Sequence, residues 1–337
     1  MAVGGRNQQI CLRARPTGRL DGSCFGSRYV DVPVPGQDEI LVAIEFVSVD
    51  PFMRGHMVGV YDHIAPQELD EPIFAGAVGK VIRSRSSRFR EGDVVEGYFG
   101  WQQYAAVGAV EARRVPESTL PVSTALGVLG MTGMTAYFGM LDVGRPVAGE
   151  TVVVSGAAGA VGSVAGQIAR LKGCRTVGIV GSDEKAEYII RKLGFDAAIN
   201  HRTALDLHED LKEACPDRID LYFDNVGGRT FDAVTRWMNV GCRYVVCGQI
   251  AQYEDDELDR GPRNLKNFEI RRARLEGFRV LDYRARYQEG LAALAKWIEE
   301  RHIRFDETVF EGLDSAPMAL LSLFEGRHVG KVVVRVG

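Results

Sequence analysis

"VVVSGAAGAVGSVAGQIARLKG", residues 152–173, runs from a block of valines through a cluster of small residues into a helical pattern. Gly156, Gly159 and Gly162 recur every third residue, directly after a strand expected over Thr151–Ser155 and directly before a helix. A backbone that bare suits a turn that must tighten, approach a diphosphate and let strand and helix pack closely. Free amides at the positive end of the helix would then hold the phosphates. The competing reading is a strand–helix turn that is merely close-packed.

Outward from this turn, short valine-rich runs alternate with helical patterns. Strands are expected over 151–155, 176–180, 197–200, 219–223 and 244–247. Val164, Ile168 and Leu171 share one helix face, with Gly173 just past its end. Strand and helix in alternation build βαβ units and a parallel sheet. Before this region, residues 28–115 are strand-like, with expected strands at 40–49, 79–84 and 93–107, and suggest a compact β domain. Residues 125–140 are small and apolar with helical spacing. Near the end, 314–326 reads as a helix capped by Asp314 or Ser315. The strand after it, 331–336, resembles the β domain again.

Composition excludes several function classes. The chain has 337 residues, 41 basic against 45 acidic, so its net charge of −4 argues against binding nucleic acid. No basic stripe contradicts that. No apolar run approaches the length of a membrane span, and the polar start carries no secretory signal, so no membrane partner is expected. The six cysteines are scattered without a C-x-x-C pair, which suits free thiols in a reducing cytoplasm.

Cofactor choice is read at the end of the second strand, where a carboxylate would hold the ribose diol of NAD. Gly181 and Ser182 stand there, with Lys185 one turn into the next helix. A hydroxyl and an ammonium suit a 2′-phosphate, so NADP(H) is expected. Against this, Asp183 is near enough to reach the ribose, and Lys185 suits a solvated helix face. Asn225, Gly227 and Gly228 follow the fourth strand, where ligands of open α/β sheets bind; an ordinary strand–helix turn is the alternative.

The motifs "VSVDPFMRGHM" (47–57), "GWQQYA" (100–105), "ALGVLGMTGMTAYFGMLDVG" (125–144), "GAAGAVGSVAGQIARLKGC" (156–174), "YFDNVGG" (222–228), "CGQIAQY" (247–253), "LEGF" (275–278) and "GKVVVRV" (330–336) occur in order along the chain. In this, the sequence resembles the zinc-independent medium-chain dehydrogenases/reductases, within them the alkenal/one oxidoreductases. The resemblance implies an α/β fold with a GroES-like β domain over 1–126, completed by 305–337, and a Rossmann domain over 127–304. It also implies cytoplasmic homodimers.

Carried over by position, Gly159, Ala160, Val161 and Gly162 would contact the diphosphate, and Ser182 and Lys185 the 2′-phosphate. Asn225, Cys247, Gly248, Tyr253, Phe278 and Val280 would line the rest of the cofactor, with Met131 and Thr135 near the nicotinamide. His201 and His328 stand where relatives place a tyrosine and an asparagine against the cofactor; an imidazole still donates there. Phe52 replaces a tyrosine of the substrate wall, and Glu254 follows Tyr253 where asparagine is common.

Zinc-dependent relatives carry a cysteine ligand and a His-Glu pair where this chain has Asp50-Pro51 and Phe74-Ala75, so no metal is expected. His56 and His63 lack further ligands nearby. Without a Lewis acid, hydride can still reach the β-carbon of an α,β-unsaturated aldehyde or ketone, since the charge spreads into an enolate. Tyr253 is the candidate donor to that enolate; a ribose hydroxyl or water competes, and a tyrosine packed on the cofactor is the plainer role. Residues 253–264 read as a polar flap. The expected substrate is a small α,β-unsaturated carbonyl compound. The alternatives are a metal-free carbonyl, alcohol or quinone oxidoreductase, and a nucleotide-binding protein with little catalysis.

Overall fold

The computed structural model describes residues 5–61, 64–254, 261–262 and 264–337. The chain divides into two compact units, one of residues up to 126 with 307–328 and 332–337, the other of 127–306 with 329–331. His63 and most of the expected flap lie outside the described residues.

The first unit opens with β1 (Arg6–Leu12) paired antiparallel to β2 (Phe25–Asp31). There follow β3 (Glu39–Ser48), α1 (Phe52–Val58), β4 (Ala77–Ser84), β5 (Val94–Gly97), β6 (Tyr104–Gly108) and β7 (Arg113–Arg114). β3 pairs antiparallel with both β4 and β6. Trp101 is fully buried in the core, and its indole N–H donates to the Ser48 carbonyl at 3.0 Å.

Two expectations fail here. The stretch 93–107 is two strands, because the chain turns at Gly100 (φ 78°), where a Cβ would lie 3.1 Å from the Ile73 carbonyl. Left-handed backbone and that close approach both require glycine. β1 lies before the region read as β, and its polar sequence concealed it. Its buried amides are satisfied by side-chain bonds: Asn7 Nδ2 donates to Tyr104 O (2.9 Å), Gln8 Nε2 to Asp314 Oδ1 (2.6 Å) and Gln9 Nε2 to Gln102 Oε1 (2.6 Å).

The second unit begins with α2 (Met131–Phe138), which runs into a π turn over Gly139–Gly144. Then come β8 (Thr151–Ser155), α3 (Ala160–Leu171), β9 (Arg175–Val180), α4 (Asp183–Arg191), β10 (Ala197–Asn200) and α5 (Leu207–Ala214). The rest is β11 (Ile219–Asp224), α6 (Gly228–Thr235), β12 (Met238–Val246), α7 (Leu265–Arg271), β13 (Arg274–Gly277) and α8 (Tyr287–Glu299).

The sheet order is β10-β9-β8-β11-β12-β13, and every pairing is parallel. This is a Rossmann-like sheet. From β8 the chain winds outward to β10, then returns to start the other half at β11. The carboxyl ends of β8 and β11 therefore form the switch point at which such sheets bind ligands. Both faces are covered: Val152 and Val154 enter one core, and Val153, between them, the other.

Of the expected helix face, Val164 and Ile168 are buried, but Leu171 in the last turn is exposed. The helix ends there and leaves it beyond the sheet.

The chain then returns to the first unit through β14 (Glu307–Glu311), α9 (Ala316–Glu325) and β15 (Lys331–Arg335). β15 lies antiparallel to β3, with Val333 opposite Ser48. Neither expected residue caps α9. Ser315 precedes it, but its hydroxyl donates to the Gly312 carbonyl at 2.7 Å, and Asp314 is taken by Gln8. Among the described residues no helix is long and apolar enough to cross a membrane.

Candidate dinucleotide site

The turn after β8 is built by steric exclusion. Gly156 has φ 60°, and a Cβ on Gly162 would stand 2.4 Å from the Gly156 carbonyl oxygen. Only glycine permits that approach of helix to strand. α3 then starts behind Gly159, which is extended (φ −84°, ψ 177°) and makes no side-chain cap bond. The first amides of a helix have no acceptor inside it. The Gly159 segment bridges to Gly330, and the amides of Val161 and Gly162 are left to an outside acceptor, in the positive field of the helix end.

At the end of β9, cations gather from separate elements. A Cβ on Gly181 would lie 3.5 Å from both His201 Nε2 and Arg202 Nε, so the place an acidic ribose ligand would fill is flanked by basic groups. Lys185 is half-buried. Burial, reinforced by Arg202, pulls its ammonium down to about 8. His201 is open to solvent as a residue, yet packing around its ring holds it below the ordinary histidine value, with Arg202, Arg229 and Lys185 adding to the effect. Mutual repulsion of this kind is relieved by an anion.

The Ser182 hydroxyl accepts from the Lys185 amide at 3.3 Å and so caps α4. Asp183 accepts from Asn200 Nδ2 at 2.8 Å, which holds the carboxylate against β10.

At the ends of β11 and β12, Asn225 Nδ2 donates to the Ser155 carbonyl at 2.7 Å, tying this turn to the end of β8. Cys247 N and Gly248 N both donate to the Asp224 carbonyl, at 2.9 and 3.1 Å. Burial, with the Asp224 charge beside it, pushes the Cys247 thiol up to about 12 and removes it as a nucleophile. Tyr253 is half-buried, and its phenol oxygen accepts from Gln249 N at 3.3 Å. Burial is the main cause that raises the phenol above its ordinary value, so it keeps its proton. Since that bond uses only the oxygen, the hydrogen remains available to donate.

On α2, every residue is buried except Met131 and Thr135, one turn apart. They form the one open stripe of that helix, and the Thr135 hydroxyl donates to the Met131 carbonyl at 2.7 Å. Phe278 and Val280 pack on the core beneath, and the Phe278 ring fills the space above Gly139, where a Cβ would meet it at 2.5 Å. Phe52 and His328 belong to the first unit; Phe52 begins α1 and packs on the β core.

Sequence reasoning missed Arg202, Arg229, Ser155 and Asp224. The two arginines follow β10 and open α6, far in sequence from Lys185. The available signal was a basic pair, His201-Arg202, at the carboxyl end of a strand.

At the place of the His-Glu ligands of zinc-dependent relatives, Phe74 stacks on Tyr98 (centroids 4.6 Å apart, 12°) and meets His56 edge-on at 4.9 Å. His56 Nε2 is bound to the Ala65 carbonyl at 2.7 Å. Among the described residues, no three His, Cys, Asp or Glu side chains are grouped to hold a metal ion.

Comparison with known proteins agrees with this architecture. A family model described as the N-terminal domain of oxidoreductase matches residues 8–115, and one described as zinc-binding dehydrogenase matches 160–297. The chain is 40% identical to a 2-alkenal reductase (NADP+-dependent) of Nicotiana tabacum, over 100% of this chain and 99% of that protein. It is 39% identical to the NADPH-dependent curcumin reductase of Escherichia coli, over 98% and 97% of the two chains. The crystal structure of CurA from Vibrio vulnificus in complex with NADPH superposes with a TM-score of 0.93 at 40% identity, covering 98% of this chain and 99% of the other. With relatives of that identity matched along nearly their whole length, and with a separate β domain beside a parallel Rossmann-like sheet, the chain belongs to the medium-chain dehydrogenase/reductase family, among its alkenal-reductase-like members.

Proposed function

We propose that the protein reduces the activated C=C bond of α,β-unsaturated aldehydes and ketones, using NADPH. The observation that carries the cofactor choice is the gathering of Lys185, His201, Arg202 and Arg229 near Gly181. The residues fit the group. Gly156 and Gly162 leave room that a Cβ would fill, the uncapped start of α3 suits the diphosphate, and the cations suit a 2′-phosphate. The related 2-alkenal and curcumin reductases supply the substrate class.

When bound, NADPH supplies a hydride to the substrate β-carbon, leaving an enolate. Tyr253 is proposed to donate a hydrogen bond to the enolate oxygen while a proton from water adds to the α-carbon and completes the saturated product; its raised pKa keeps the phenol protonated for that role. Met131 and Thr135 present the open stripe of α2 to the nicotinamide. Asn225, Cys247, Gly248, Phe278 and Val280 line the cofactor beside it.

The homodimer implied by the resemblance is proposed to use the free edge of the sheet. β13 is an edge strand with Leu275 exposed, and the preceding α7 exposes Leu265 and Ile270. Unpaired strand groups beside apolar side chains suit a second copy of the chain. Static light scattering is expected to give the mass of two chains for the wild type and one for Leu275→Glu. A monomeric wild type contradicts this.

Lys185→Ala is expected to weaken NADPH binding by about 10- to 100-fold, the worth of a charge-assisted phosphate contact, with NADH little changed. Equal losses for both would remove Lys185 from the 2′-phosphate. The same contact sets a pH dependence. The folded pKa of Lys185 is depressed to about 8, so above that pH the phosphate must bind with uptake of a proton. NADPH affinity should therefore fall roughly tenfold between about pH 7 and about pH 9, while NADH affinity and the Ala variant stay level.

Tyr253→Phe should lower kcat about 100-fold with NADPH affinity preserved, as for loss of one oxyanion donor. Unchanged turnover would exclude it as the donor.

A further inference from the structure

Asp224 has no part in the chemistry just described, and is fully buried at the carboxyl end of β11. Its Oδ1 accepts from Ser155 Oγ and Tyr222 OH, both at 2.8 Å, and from the amides of Val226 and Gly227, both at 3.0 Å. Every one of these partners is a donor to that single oxygen, while Oδ2 is buried without a hydrogen-bond partner among the described residues. The backbone carbonyl of the same residue accepts from Cys247 and Gly248.

One residue thus joins three strand ends. Ser155 closes β8, and its oxygen also accepts from the Asn225 amide at 2.9 Å. Asn225, Val226 and Gly227 form the turn after β11, in which Gly227 is left-handed at φ 73°. Cys247 and Gly248 leave β12, and the segment continues back over the turn, with Ile250 N donating to Asn225 O and Ala251 N to Val226 O at 3.3 and 3.1 Å. The Tyr253 phenol sits where a Cβ on Gly248 would be 3.3 Å away.

The geometry points to Asp224 as the positioning residue of the nicotinamide half of the site: its buried carboxylate sets the turns that carry Asn225, Cys247, Gly248 and Tyr253, while Lys185, His201 and Arg202 of the cationic half stand on α4 and after β10, away from those turns. A carboxylate that only stabilised the sheet would hold both halves equally. This inference deepens the NADPH reading and rests on it.

The test compares two probes by isothermal titration calorimetry. NADPH spans both halves, whereas adenosine 2′,5′-bisphosphate occupies only the cationic one. Asp224→Asn places an amide among donors and removes the charge. It is expected to weaken NADPH by at least about tenfold and leave the bisphosphate within about twofold. Ser155→Ala removes one donor to the carboxylate at little cost in packing, should show the same split at about threefold, and decides the matter if the Asn variant does not fold. Equal weakening of both probes, or no weakening of either, overturns the assignment. Wild-type protein that binds the bisphosphate but not NADPH overturns it too. Wild-type protein that binds neither overturns the cofactor reading itself.

Discussion

The approach of α3 to β8 is the constraint from which the site follows. With a Cβ at Gly162 lying 2.4 Å from the Gly156 carbonyl, any other residue would push the helix off the strand. The same contact aims the uncapped amides of the first helical turn across the carboxyl edge of the sheet. It is repeated deeper in, where Gly166 admits the Phe195 ring and Gly178 admits Ile189. Glycines that loosen an isolated helix here allow a tighter packed layer.

Electrostatics at this edge divide into two regions of opposite sign. Around Gly181, burial and the neighbouring arginines after β10 and at the start of α6 lower the pKa of Lys185 and His201. At the switch point, a buried carboxylate is surrounded only by donors. The first crowds basic groups around Gly181 and reads as a binding site for an anion. The second ties the ends of β8 and β11 together through one carboxylate oxygen and reads as scaffold.

Much of this was legible in the sequence. β8 and β10 end where expected, because short apolar runs bounded by glycine and polar turns leave little latitude. The glycine spacing located the turn, and the missing carboxylate after β9 turned attention to Lys185. What was hidden depends on contacts remote in sequence. β1 is polar and buried through amide bonds to residues almost a hundred positions away, so it carries no hydrophobic alternation. Arg202 looks like an ordinary surface charge until the fold sets it beside Gly181, and Arg229 until the fold brings its charge to bear on His201. Asp224 reads as a turn residue, and only its burial and its donors show otherwise. That the Ser182 oxygen also caps α4 shows only in the structure.

Hydride delivered in this site goes to the β-carbon of an enone rather than to its carbonyl. Turnover of an enone with NADPH deuterated at the transferred position of the nicotinamide tests it most directly. The account predicts a saturated ketone with the label on its β-carbon. An allylic alcohol labelled at the former carbonyl carbon would contradict it.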